Sequence, residues 1–247
     1  MTSSRWILIV FALLWLIPDP AAAQSVTLDL GESASGTATG RMIQLLILLT
    51  VISLAPSILV MMTSFMRIVI VLSFLRSALG TQQTPPNQVI VSLALFLTAF
   101  IMAPAFEQAY QEGVRPLLEE KITEQQALER IGAPFHSFML KHAREKDLEL
   151  FVSMSPGLEI ATPEDTPYRV LIPAFMISEL KRAFEIGFMI FIPFLIIDMM
   201  VASILMAMGM MMLPPVMISL PFKIIFFVLV DGWYLVCGSL IKSFGTV

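Results

Sequence analysis

Residues 186–241 read IGFMIFIPFLIIDMMVASILMAMGMMMLPPVMISLPFKIIFFVLVDGWYLVCGSLI. Two apolar runs, Ile186 to Met212 and Val216 to Ile241, are separated only by Leu213-Pro214-Pro215. Each run exceeds the roughly 20 residues a helix needs to cross hydrocarbon. A proline pair cannot continue a helix. The stretch therefore predicts two apolar helices in a tight hairpin, with Gly209, Pro214 and Pro215 at the turn.

Three ionisable residues, Asp198, Lys223 and Asp231, stand inside these runs. Each costs several kcal/mol against lipid, so each should face a partner or water. Counted from Leu213, Asp198 lies fifteen residues before the turn, Lys223 ten after and Asp231 eighteen after. At about 1.5 Å per residue, the axial offsets from Asp198 are about 7 Å and about 5 Å. Lys223 is expected to neutralise Asp198 or Asp231, within one subunit or between two. A packing ion pair and a proton-linked role both fit that placement.

The hairpin tip is dense in methionine: Leu205-Met206-Ala207-Met208-Gly209-Met210-Met211-Met212. Methionine is flexible and re-packs easily. On a symmetric ring such tips would converge as a deformable apolar collar, and ordinary packing against lipid or core is the alternative.

Upstream, Met42 to Met62 is long enough to span, and Phe65 to Leu75 continues it past Arg67 up to Arg76. One helix over both would be about 50 Å long, so a kink at Pro56 or a second half-helix is expected. Gly80 to Gln88 reads as a turn with Asn87 capping the next helix, Val89 to Phe106. Residues 107–169 form the one hydrophilic region. Arg115 to Arg130 and Phe135 to Phe151 have the spacing of amphipathic helices. The chain is thus expected to be all-α, with about four long hydrophobic helices in hairpins and amphipathic helices in a hydrophilic insert. The mature N-terminus and the insert would lie outside, with Arg67 and Arg76 beside the first inner loop.

Met1 to Arg5 is short and basic, Trp6 to Ile17 is apolar, and Pro18-Asp19-Pro20 leads to Ala21-Ala22-Ala23. That order reads as a signal peptide cut after Ala23, with small residues Ala21 and Ala23 at the cleavage site. A short uncleaved anchor is the alternative. Residues 24–41 are a polar tail, expected to be disordered. The expected domains are 1–23, 24–41 and a membrane domain over 42–247.

The composition agrees with a membrane chain. It is 57% hydrophobic with a mean hydropathy of +0.85, and only 14% charged, against about 25% in soluble domains. The net charge of −4 and the lack of a Lys/Arg run argue against nucleic-acid binding. Cys237 is the single cysteine, so no internal disulfide or zinc cluster is expected. His136 and His142 are six apart, too far for a metal pair on one helix face. No phosphate loop, dinucleotide motif or nucleophile elbow occurs, so neither an enzyme nor a cofactor is expected.

Several segments together resemble the FliP family: Arg67-Ile-Val-Ile-Val-Leu-Ser-Phe-Leu-Arg76 running on to Gln88, Phe138-Met-Leu-Lys141, Arg144-Glu-Lys-Asp147, Glu179-Leu-Lys-Arg-Ala-Phe-Glu-Ile-Gly-Phe188, Pro193-Phe-Leu-Ile-Ile-Asp198, Met208 to Pro215, Ile218-Ser-Leu-Pro-Phe-Lys223 and Leu229-Val-Asp-Gly-Trp233. The resemblance covers nearly everything from Met42 onward. It implies a homopentamer-like ring in the bacterial inner membrane, at the flagellar basal body, much of it lifted to the periplasmic side. FliQ and FliR would join the ring, with FlhA and FlhB nearby. Unfolded flagellar proteins would pass through it, driven mainly by the proton-motive force. Met210, Met211 and Met212 match the family's methionine gasket. Phe138, Phe151 and Glu179 are candidate subunit-interface residues. The related injectisome gate is the nearest rival, and a proton-coupled channel or a mere scaffold are the others.

Overall fold

The computed structural model describes residues 38–81, 83–158, 160, 162–210 and 213–245. The expected signal peptide with Ala21 and Ala23, the tail as far as residue 37, and Met211 and Met212 lie outside the described residues. The chain divides into two compact units, Met1–Thr50 and Val51–Val247. The described part of the first is the opening of α1 (Ala38–Met61), where Met42, Ile43, Leu46 and Leu49 are exposed.

The second unit carries the rest in order: α2 (Phe65–Leu79), α3 (Asn87–Ala109), a π-helical turn (Tyr110–Val114), α4 (Arg115–Leu118), α5 (Glu124–His142), α6 (Glu145–Ser153), a 3₁₀ turn (Pro163–Asp165), α7 (Tyr168–Ala207), α8 (Pro215–Leu229) and α9 (Gly232–Lys242). No strand occurs among the described residues. The protein is all-α, as its sequence predicts.

The core is built around α2. Ile68, Val71 and Leu72 of α2 pack with Ile90, Ala94 and Ile101 of α3, Ala183 of α7 and Leu240 of α9. The α2–α7 contact is close because position 187 is glycine. A Cβ there would lie 2.6 Å from the Phe74 ring, so any larger residue would force the helices apart.

Two helices, Asn87–Leu118 and Tyr168–Ala207, are long and apolar enough to cross a membrane. A third span arises if α8 and α9, bent by 63° at their junction, are counted as one. The stretch from Met42 to Leu75, expected to kink at Pro56 or to continue as a second half-helix, is two helices. The Thr63 hydroxyl donates to the Val60 carbonyl at 2.9 Å, at the end of α1. Pro56 sits within the bounds of α1, and the break falls at residues 62–64.

Three helix boundaries differ from expectation. Arg115 to Arg130 is interrupted after Leu118, and α5 starts afresh behind a capping box. The Thr123 hydroxyl accepts from the Gln126 amide at 3.4 Å, and the Gln126 side chain accepts from the Thr123 amide at 3.2 Å. Phe135 to Phe151 is divided at Ala143-Arg144, where the backbone is extended. Asn87 does not cap α3; its side-chain oxygen accepts from Arg76 Nη1 instead. Thr123→Ala is expected to cost about 1 kcal/mol locally. Hydrogen exchange at residues 124–128 should then rise about fivefold, and unchanged exchange would deny the box any role.

Candidate functional site

Asp198 of α7 meets Ser219 and Lys223 of α8. Ser219 and Lys223 are four residues apart and share one helix face. The Ser219 hydroxyl donates to Asp198 Oδ1. Lys223 Nζ donates to Asp198 Oδ2 at 2.6 Å and to the Ala78 carbonyl at 3.2 Å. Ala78 lies in the last turn of α2, where carbonyls lack partners within the helix. The ammonium therefore also closes the C-terminal end of α2, whose partial negative charge favours it. The Lys223 side chain is 4% exposed and that of Asp198 26%.

The pairing is level because the turn is wider than Leu213 alone. α7 ends at Ala207 and α8 begins at Pro215. Asp198 is then nine residues from its helix end and Lys223 eight from its helix start, so the offset counted from Leu213 vanishes. Asp231 is not brought to the pair. The last apolar run, expected to be one helix, breaks at Val230-Asp231, and Asp231 is exposed with φ 52.

A second buried network lies near α9. Arg67 Nε donates to Glu179 Oε2 at 2.7 Å, and Nη2 donates to Oε1. Nη1 reaches Ser243 O at 3.2 Å and Ser243 Oγ at 2.9 Å. The guanidinium lies 3.7 Å from the centre of the Phe244 ring. Such a planar, bidentate and stacked setting suits arginine and not lysine. Arg67 is 1% exposed, so its charge is held inside the protein. Glu179 has no exposed surface. Its carboxylate is held by Arg67 of its own chain.

Phe138 is half-buried against Phe175, Phe244 and His142, all of its own chain. Phe151 is half-buried on α6. Burial pushes the His142 imidazole below its ordinary pKa, and its Nδ1 bonds the Phe138 carbonyl at 2.8 Å. Between α6 and α7, Arg144 forks onto Asp147 at 2.7 and 2.8 Å, and the Ser178 hydroxyl donates to Asp147 at 2.6 Å. Burial opposes the charged form of Asp147, yet these donors hold it below the usual carboxylate range.

The hairpin tip follows α7. Met206, Met208 and Met210 are 58%, 56% and 48% exposed. Gly209 turns the chain at φ +71, a conformation glycine adopts freely. Pro214 precedes the first residue of α8, and Pro215 is that residue. Among the described residues no group of His, Cys, Asp and Glu could hold a metal. His136 instead contacts the Thr166 carbonyl at 2.7 Å, and Cys237 is a half-buried free thiol.

Arg67, Ser219, Ser243 and Phe244 are partners that no motif of the sequence pairs. A base inside an apolar run was the available signal for Arg67, and the four-residue spacing to Lys223 was the signal for Ser219.

The model of the FliP family matches residues 48–240. A flagellar biosynthetic protein FliP of Caulobacter vibrioides is 58% identical over 230 residues, 93% of this chain and 86% of that protein. One from Bacillus subtilis is 60% identical over 202 residues, covering 82% and 91% of the two chains. One from Agrobacterium fabrum is 51% identical over 240 residues, covering 96% and 98%.

Proposed function

The chain belongs to the FliP family, and on that premise we propose that it is a pore-forming subunit of the flagellar protein export gate. Copies of the chain assemble into a ring with FliQ and FliR, near FlhA and FlhB. The ring sits in the bacterial inner membrane, much of it toward the periplasm, and passes unfolded flagellar proteins. Its role is structural, as a conduit and seal, and not catalytic. The flagellar name of the relatives favours this reading over the injectisome gate.

The observation that carries the proposal is the α7–α8 hairpin. Its stem is held by the Asp198, Ser219 and Lys223 contacts, while Met206, Met208 and Met210 toward its tip are exposed. A fixed stem with a soft apolar tip is what a seal around varied chains requires. Met210, Met211 and Met212 form the collar. The test is ion leakage in cells expressing the chain with its gate partners. A Met210/Met211/Met212→Ala variant is expected to leak about tenfold more than wild type with assembly intact, a loss of about 1.4 kcal/mol of closure. Unchanged leakage in a properly assembled complex would return the methionines to ordinary packing.

A further inference from the structure

Asp231 is the carboxylate that the fold leaves over. It stands at the 63° bend between α8 and α9, exposed, with φ 52 and ψ 53. Among the described residues its side chain has no hydrogen bond or ion pair. Around it Val228, Leu229, Val230, Trp233, Tyr234 and Leu235 are all exposed. The bend needs a residue that tolerates a left-handed backbone, and asparagine or glycine serves there as well as aspartate. The conformation therefore does not explain the charge, and an apolar surface penalises it.

Among the described residues, the bases of the neighbouring helices are engaged elsewhere or lie away from the elbow. Lys223 is spent on Asp198, Arg67 on Glu179 and Lys181 on Glu185. Arg182 lies twenty-five residues before the end of α7, against sixteen from the start of α8 to Asp231. It therefore sits about 13 Å further from the tip. Lys242 lies in the last turn of α9, eleven residues beyond Asp231. The remaining bases of α7 and α9 thus lie away from the elbow.

We propose that the α8–α9 elbow docks a membrane-embedded helix of a different subunit, which sets a lysine or arginine from within an apolar run against Asp231. The apolar residues around the elbow supply the packing surface, and the single carboxylate fixes the register, as one buried polar contact does between apolar helices. The inference rests on the chain being one subunit of a membrane assembly and does not depend on the methionine seal.

The test places a photoreactive residue at Tyr234 of the full chain, in cells expressing the whole assembly. The expected result is a cross-link to a different chain, mapped to a peptide with a Lys or Arg inside an apolar run. Asp231→Asn keeps the backbone preference and removes the charge. It should cut the cross-link about fivefold or more without lowering the amount of chain in the membrane. Asp231→Lys should abolish the cross-link, and reversing the partner's base should restore it. The proposal is overturned by cross-links only to lipid or to a second copy, by a mapped peptide without a base, or by a yield indifferent to Asp231→Asn. A strain that stays motile without the chain would overturn the export reading instead.

Discussion

Glu179→Ala is expected to cost about 3–5 kcal/mol of stability, enough to remove most of a typical domain's margin. The physical reason is the partner it strands. Arg67 is 1% exposed and gives two of its hydrogen bonds to Glu179. Ser243 and the Phe244 ring remain, but neither carries the opposite charge. A buried arginine cannot escape by losing its proton. The chain should fall steeply in steady-state amount and become sensitive to protease in isolated membranes. Arg67→Met combined with Glu179→Leu should recover more than half of the loss, because apolar groups of similar volume can replace a buried ion pair. A single variant as protease-resistant as wild type, or a double variant no better than the single, would contradict this account.

Asp198→Ala is expected to be the second most damaging change, at about 3–5 kcal/mol, and clearly worse than Lys223→Ala at about 1–3 kcal/mol. The asymmetry follows from exposure. Removing Asp198 leaves a 4%-exposed ammonium with only the Ala78 carbonyl. Removing Lys223 leaves a 26%-exposed carboxylate that still accepts from Ser219. A double-mutant cycle should give about 1–3 kcal/mol of coupling. Exchanging the two residues should rescue only part of the loss, since the carboxylate would then face the Ala78 carbonyl. Thermal midpoints of the purified assembly would measure all of these variants. Equal costs for the two single changes, or a full rescue by the exchange, would argue against the geometry.

The hairpin and its ion pair were legible because helices have a fixed rise. A proline pair marks the turn, and counting residues from it brings Asp198 and Lys223 within about 7 Å of one depth, an offset that the wider turn removes. Asp231 was misplaced for the complementary reason: apolar periodicity runs straight through a break, and only Asp231-Gly232 marks the elbow. The short breaks at Glu119–Thr123 and Ala143-Arg144 hide in the same way behind a continuing pattern. Arg67 and Glu179 were not readable as partners at all. They are 112 residues apart, and each looks locally like a charge flanking an apolar run. Nothing in periodicity links two such positions; the packing of α2 against α7 does.

The same separation sets a timetable. Chains are made at about 5–20 residues per second. Glu179 therefore follows Arg67 by about 6–22 s, and Ser243 follows it by about 9–35 s. Through that interval the nascent α2 holds an arginine with none of its later partners. Settling alone in lipid would cost it several kcal/mol, however apolar the rest of the helix. The helix that becomes the centre of the protein should thus be among the last to be enclosed. Its enclosure is complete only once α7 and α9 have been made.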